Sequence, residues 1–340
     1  MRAYTRETLL FRRHLTGLGR AAALAVAAIA LSGLAVISAA GSAAAQSAED
    51  DRMIVTLLGT GTPGLYPDRF SSANLVEAGG LKLLIDAGRG ATLRIGQLGY
   101  SLGQIDATFL THMHSDHVSG LADMFMTSYI RVPYIGGRTE PFQLYGPTGT
   151  QKLADGLVMA HGWDIETRIE DEGVPLAATT IQAHEAEEGV VFDQNGVTVT
   201  TFPVNHGDKI ENAVGYRVDY KGKSVLFSGD TTYEPNVVTY AKGVKLLIHE
   251  VGMATEKMMQ HPSTATVLAH HTSPEDVGRI FSQAAPDYAV YSHMVLMGDP
   301  PIQELISRTR STYDGPLVIG EDLMQFVLED GGVTVLNALR

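Results

Sequence analysis

Thr111-His112-Met113-His114-Ser115-Asp116-His117 follows directly on an apolar run, Ile105 to Leu110, that reads as a strand. Side chains alternate along an extended segment, so His112 and His114 point the same way. Asp116 and His117 then fall in the turn that opens the next helix. Four metal-competent groups therefore stand within six residues. A lone histidine is usually a satisfied core or surface residue, but three histidines and an aspartate at this spacing, just past a strand end, form a ligand cluster.

One strand end cannot complete two coordination spheres, and further donors recur at comparable places. His206 follows the strand Val197 to Phe202, Asp230 follows Ser224 to Phe227, and His293 follows Tyr288 to Tyr291. Each is expected just beyond a strand end, where a sheet delivers side chains to one rim. Five His and two Asp with no thiolate suit two divalent ions, zinc first, with manganese or iron as substitutes.

Around these sites the chain alternates short apolar runs with helical patterns. Strands are also predicted at Met53 to Leu58, Leu81 to Ile85, Ala213 to Tyr220, Val244 to Ile248, Gln325 to Leu328 and Val333 to Leu336. Asn195-Gly196, Lys221-Gly222-Lys223 and Asp330-Gly331-Gly332 carry hairpin chemistry. Helices are predicted over Arg89 to Leu98, His117 to Thr127, Thr148 to His161, Glu234 to Ala241, Pro274 to Ala284 and Pro301 to Thr312. Hairpins with intervening helices predict two mixed sheets covered by helices, in one domain without linker or repeat.

In order along the chain, Leu58-Gly59-Thr60-Gly61-Thr62, His112-x-His114-x-Asp116-His117, His206, Ser228-Gly229-Asp230-Thr231, His249-Glu250, His271-Thr272-Ser273 and His293 resemble the metallo-β-lactamase fold superfamily. Within it they are similar to the ribonuclease Z-like and arylsulfatase-like branch. The resemblance spans Met53 to about Leu328. It implies an α/β fold, the four-layer αββα sandwich, with a dinuclear site at one edge. It further implies that His112, His114 and His206 hold one metal and Asp116, His117 and His293 the other, with Asp230 bridging. Two divalent ions in such a site make a bridging water nucleophilic and clamp the substrate oxyanion. By the same resemblance Asp116 orients or deprotonates the nucleophile, His271 protonates the leaving group, and Glu250 orients His271. His270 is an alternative to His271, and His249 and Glu250 also read as ordinary residues at a strand end. β-Lactamases of this fold mostly place a cysteine or another ligand where Asp230 stands, so a hydrolase of esters, phosphodiesters or sulfates is implied.

His161, His184 and His261 have no partner in this pattern. Of the methionines, Met294 is the candidate pocket residue because it follows a ligand, although Met more often fills gaps.

Composition bounds the partners. The 340 residues are 44% hydrophobic and carry no cysteine, which excludes a disulfide scaffold, a cysteine-ligated zinc finger and a lipoprotein anchor. Residues 1–45 hold five Arg and only Glu7 as an acid, then an apolar run from Ala21 to Ala40 and a small-residue site at Ala43-Ala44-Ala45. This layout reads as an export signal, with Arg12-Arg13 resembling a twin-arginine type; an uncleaved membrane anchor is the competing reading. The expected product is a periplasmic or secreted protein, residues 46–340, without stable membrane association. Removing the segment takes the net charge from −13 to −17, an acidity that disfavours long nucleic acid. Ribonuclease Z grips tRNA with an arm inserted between the motifs matching His206 and Asp230, yet only 24 positions separate those residues here. The expectation is therefore a small anionic ester as substrate, with ribonuclease Z-type 3′ processing of tRNA as the alternative and an inactive metal-binding protein as the second. A homodimer is expected by analogy with relatives.

Overall fold

The apolar runs pair into two sheets. The computed structural model describes residues 51–337; the segment read as an export signal lies outside the described residues. The strands are β1 (Met53–Gly59), β2 (Ala73–Ala78), β3 (Leu81–Ile85), β4 (Ala107–Phe109), β5 (Phe142–Gly146), β6 (Ile181–Glu185), β7 (Gly189–Gln194) and β8 (Val197–Val204). They continue with β9 (Ala213–Tyr220), β10 (Lys223–Phe227), β11 (Leu246–Ala254), β12 (Tyr288–Met297), β13 (Leu317–Ile319), β14 (Gln325–Glu329) and β15 (Gly332–Leu336). The helices are α1 (Ala91–Gln97), α2 (Ser115–Val118), α3 (Leu121–Ser128), α4 (Thr150–Ala160), α5 (Gly162–Glu172), α6 (Pro235–Ala241), α7 (Glu256–Met259), α8 (Pro262–Leu268), α9 (Pro274–Ala284) and α10 (Ile302–Arg310).

One sheet runs β15-β14-β1-β2-β3-β4-β5-β6 and the other β13-β12-β11-β10-β9-β8-β7. Both are mixed as expected, with β3 to β6 parallel in the first and β10 to β13 parallel in the second. Strand alternation then sorts the side chains into layers. Met53, Val55 and Leu57 of β1 join Leu83, Phe109, Tyr216, Val218 and Phe227 in a core between the sheets. Leu75 and Leu84 point the other way, onto α1, α3 and α4 through Ile95, Phe125 and Ala154. On the opposite side Leu226 and Leu247 meet Val237, Ile280, Phe281 and Leu305 from α6, α9 and α10. The result is the αββα order.

The hairpin signals hold at Asn195-Gly196 and Lys221-Gly222, where all four residues have positive φ, as a type I′ turn requires. Strands β2, β5, β6, β7 and β13 escaped the sequence pattern. Edge strands β6 and β7 are half exposed and rich in polar residues, so alternation there is weak. The helix predicted over His117 to Thr127 is broken into α2 and α3 at Gly120. A Cβ there would stand 2.4 Å from the Gly88 carbonyl oxygen, so the chain passes close to β3's exit, and Gly120 N–H binds the Ala87 carbonyl in place of a helical partner. Strands β11 and β12 run past their expected ends, to Ala254 and Met297.

Phe109 is fully buried at the end of β4, stacked on Tyr145 at 4.7 Å and edge-on to Tyr216 at 5.6 Å. Phe109→Ala is expected to cost about 3–5 kcal/mol in urea unfolding, whereas Leu65→Ala, at a side chain 83% exposed, should stay within about 0.5 kcal/mol of the parent.

Candidate metal centre

β4 delivers His112 and His114 through the short extended stretch beyond Phe109, and α2 begins at Ser115, so Asp116 and His117 occupy its first turn. His206 follows β8, and Asp230 follows β10. His293 is placed differently from expectation, within β12 rather than past its end. At this point β11 and β12 slip register, His249 pairing with Tyr291 but Val251 with Met294. His293 has φ 44°, a left-handed conformation that costs energy for a side-chain-bearing residue and is typical of functional sites. The bulge turns its ring to the rim without ending the strand.

The seven predicted ligands converge. Atoms of His112, His114 and His206 form one group within 4.8 Å, and those of Asp116, His117 and His293 form another. Asp230 lies between them: its Oδ2 is 3.8 Å from His112 Nε2, 3.7 Å from His206 Nε2 and 3.4 Å from His117 Nε2, and its Oδ1 is 3.4 Å from His293 Nδ1. Donors about 2.0–2.1 Å from a shared zinc stand roughly 3.3 Å apart, so the spacing suits divalent ions. Chemistry agrees with geometry, because His112 Nε2, His117 Nε2, Asp230 Oδ1 and His293 Nδ1 are buried without a hydrogen-bond partner. Buried polar atoms are rarely left so; here they face one another across the cluster.

The hydrogen-bond partners fix the tautomers. His117 donates Nδ1–H to Asp86 Oδ2 at 2.7 Å, and His206 donates Nδ1–H to the His270 carbonyl at 2.9 Å, so each leaves Nε2 for a metal. His270 thus serves through its backbone. It is His271 that meets Glu250, donating Nδ1–H to Oε2 at 2.9 Å, while Thr272 N–H binds Oε1 at 2.7 Å. Burial pushes His112 well below the usual imidazole range, and His206 down to about 4. Burial also opposes charge on His117, but the Asp230 and Asp86 carboxylates override it and lift that ring well above 6.5. Burial likewise disfavours charge on Asp230, and the neighbouring His293 and His117 outweigh it to hold the carboxyl well below its usual range. The carboxylates flanking His117 thus favour positive charge at that point of the cluster, while His112 and His206 are pushed towards the neutral form. His271 follows the same logic: burial lowers it, Glu250 raises it more, and it rises to about 9.

The sequence reading missed Asp86. It is 2% exposed, has φ 61°, and accepts from Thr111 N–H and Oγ1–H as well as from His117. Its signal was an ionisable residue directly after the apolar strand Leu81–Ile85. His161, His184 and His261 stay out of the site: His161 joins α4 to α5, His184 stacks on Tyr145 and bonds Gln143, and His261 precedes α8. Between Gly59 and Gly61, the Thr60 carbonyl accepts from Met294 N–H, next to His293, while both glycines are pressed against the Arg69–Ser71 backbone. A Cβ at Gly59 would stand 2.0 Å from the Ser71 carbonyl oxygen, so they serve the close passage of the Arg69–Ser71 segment.

Residues 82–294 match the Beta-lactamase superfamily domain, and the chain belongs to the metallo-β-lactamase-fold superfamily. Within it the chain is similar to ribonuclease Z of Mycobacterium marinum, 31% identical over 274 residues, which are 79% of this chain and 96% of the relative. Among solved structures it is similar to the metallo-β-lactamase fold protein YhfI from Bacillus subtilis, with TM-score 0.62 and 18% identity, covering 82% of this chain and all of the other. It is also similar to the short form of human tRNase Z, with TM-score 0.58 and 21% identity over 80% of this chain and 98% of the other. These structural likenesses show the fold.

Asp86→Asn should weaken zinc binding about 10–100-fold by turning the carboxylate that holds His117 into an amide. Competition against a chromophoric chelator measures it, and parental affinity in the variant would refute the role.

Proposed function

We propose that the protein is a metal-dependent phosphodiesterase of ribonuclease Z type that cleaves RNA near a 3′ end, with the seven His and Asp side chains as metal ligands. The observation that carries this reading is the Glu250–His271 pair standing beside the donor cluster, in a chain 31% identical to a ribonuclease Z along 96% of that relative. Divalent ions in the cluster would supply Lewis acidity, making water nucleophilic near neutral pH and neutralising charge on the phosphoryl oxygens.

The remaining steps belong to the chain's own residues. Asp116 Oδ2, 3.0 Å from His293 Nε2 within the donor cluster, would orient the attacking water. Glu250 holds His271 by Nδ1 and stabilises its protonated form, leaving Nε2–H to give its proton to the departing ribose oxygen. His206 and His293 rings lie 5.2 and 5.8 Å from that of His271, so the acid would stand next to the ligands.

These relatives weigh against the expectation that long nucleic acid is an unlikely partner. A specific observation keeps a small phosphodiester as the second reading: between His206 and Asp230 the chain is spent on the β9–β10 hairpin and its lead-in, with no additional element to grip an RNA. A tRNA precursor and bis-p-nitrophenyl phosphate, tested on the same zinc-loaded sample, separate the two. Efficient precursor cleavage supports the first reading; turnover of the small ester alone would overturn it.

His271→Ala supplies a sharper expectation. A ribose oxygen needs a proton to leave and p-nitrophenolate does not, so RNA cleavage should fall about 10²–10⁴-fold while small-ester turnover changes little. Equal losses on both substrates would remove His271 as the acid. Residues 1–45 we propose as an export signal, in which case N-terminal sequencing of the protein from its native host should begin near Gln46; an intact Met1 would refute it.

A further inference from the structure

Beneath the donor cluster, on the side of the inter-sheet core, lies a cavity of about 20 Å³ whose walls include Asn74, Asp86, Asp230, His249, Ser292 and His293. Three residues outside every ligand set each have a buried polar atom without a partner there: Asn74 Oδ1, His249 Nε2 and Ser292 Oγ. Their side chains are almost wholly enclosed, at 5%, 0% and 4% exposure. An unmade hydrogen bond on a buried polar group costs about 1–3 kcal/mol, so three around one small space call for a shared partner.

The valences define that partner. His249 donates Nδ1–H to the Glu250 carbonyl at 2.6 Å, so its Nε2 presents a lone pair. Asn74 Oδ1 is also an acceptor, and Ser292 can supply one O–H. A group that donates two hydrogen bonds and accepts one meets all three needs. The volume decides its size, since a water requires about 10–15 Å³; the cavity has room for one.

We propose that a single structural water occupies this cavity and joins Asn74, His249 and Ser292, making these three residues positioning residues for the metal-binding face above them. Asn74 lies on β2 of one sheet, and His249 and Ser292 lie on β11 and β12 of the other. The water thus pins the two sheets together directly under the rim. Ser292 precedes His293, whose left-handed backbone needs an anchor, and His249 precedes Glu250, which holds His271. One solvent molecule therefore links the bulge that aims a ligand to the strand that aims the proton donor.

The positioning role rests on the metal-centre reading above; the water itself does not. A high-resolution crystal structure of the zinc-loaded protein should show one isolated peak within about 2.6–3.2 Å of all three atoms. Ser292→Ala removes a single oxygen and is expected to fold normally; with Asn74→Leu as a second variant, zinc affinity by chelator competition should fall about 10–100-fold. A purely structural water would lower the melting temperature of both variants and leave the competition curve at the parental position. A dry cavity overturns the proposal, and so does parental zinc affinity in both variants. If the parent protein itself binds no zinc, the positioning role falls together with the metal-centre reading, while the density peak still decides the water.

Discussion

A single buried carboxylate ties the site to the fold. Asp86 leaves β3 in a left-handed conformation and receives hydrogen bonds from Thr111 N–H, Thr111 Oγ1–H and His117 Nδ1–H. The same corner accepts and donates along the backbone: Asp86 N–H binds the Phe109 carbonyl, Ala87 N–H the His117 carbonyl, and Gly120 N–H the Ala87 carbonyl. The loop that carries His112, His114 and Asp116 is thus cast against the exit of the neighbouring strand. Removing one partner of a buried charged network costs about 3–5 kcal/mol, so the loop cannot drift while Asp86 remains.

Sheet one supplies that loop, and sheet two supplies Asp230, Glu250 and His293, so the metal centre depends on how the sheets are joined. The apolar core sets their separation, and polar bridges fix their register at the rim. Tyr216 of β9 donates its hydroxyl to the Leu110 carbonyl at 2.9 Å, and Val214 N–H reaches the Thr111 carbonyl at 2.9 Å. Gly229 holds Asp230 in the same region; with φ 62° and the Val214 carbonyl oxygen 2.6 Å from where a Cβ would stand, only glycine fits. Strain at Asp86 and His293 is supported by this dense surrounding structure, the condition under which such conformations persist.

The legibility of the chain follows from what each residue needs in order to be recognised. All seven donors could be read because metal chemistry admits few residue types and strand ends are marked by apolar runs. Asp86 could not, since an aspartate after a strand is ordinary until its partners are known. His293 was found for its chemistry but misplaced in the fold, because a bulge inside a buried strand has no compositional mark: Tyr288 to Met297 is apolar on both sides of the register slip. His270 and His271 are equivalent as letters. Only the turn after α8 decides that one offers a carbonyl to His206 and the other a ring to Glu250. The edge strands β6 and β7 were lost for the opposite reason, too little burial to write an alternating pattern.

Net charge is a weak guide to substrate, for an electrostatic reason. At physiological ionic strength, exposed charges beyond about 8–10 Å from a phosphate are largely screened, so a formal −13 spread over the surface of 340 residues says little about any one groove. What a phosphodiester meets at the rim is local. The buried donors there would be compensated by divalent ions, and His271 is held protonated by Glu250. An acidic surface slows encounter with a polyanion but does not alter the field at the reacting phosphorus. It is also compatible with binding that relies on a few close contacts instead of counterion release over a long strand. On the proposed reading, the chain's acidity would bear on how tightly an RNA body is gripped, whereas the bond cleaved would be set by the seven donors and the Glu250–His271 pair.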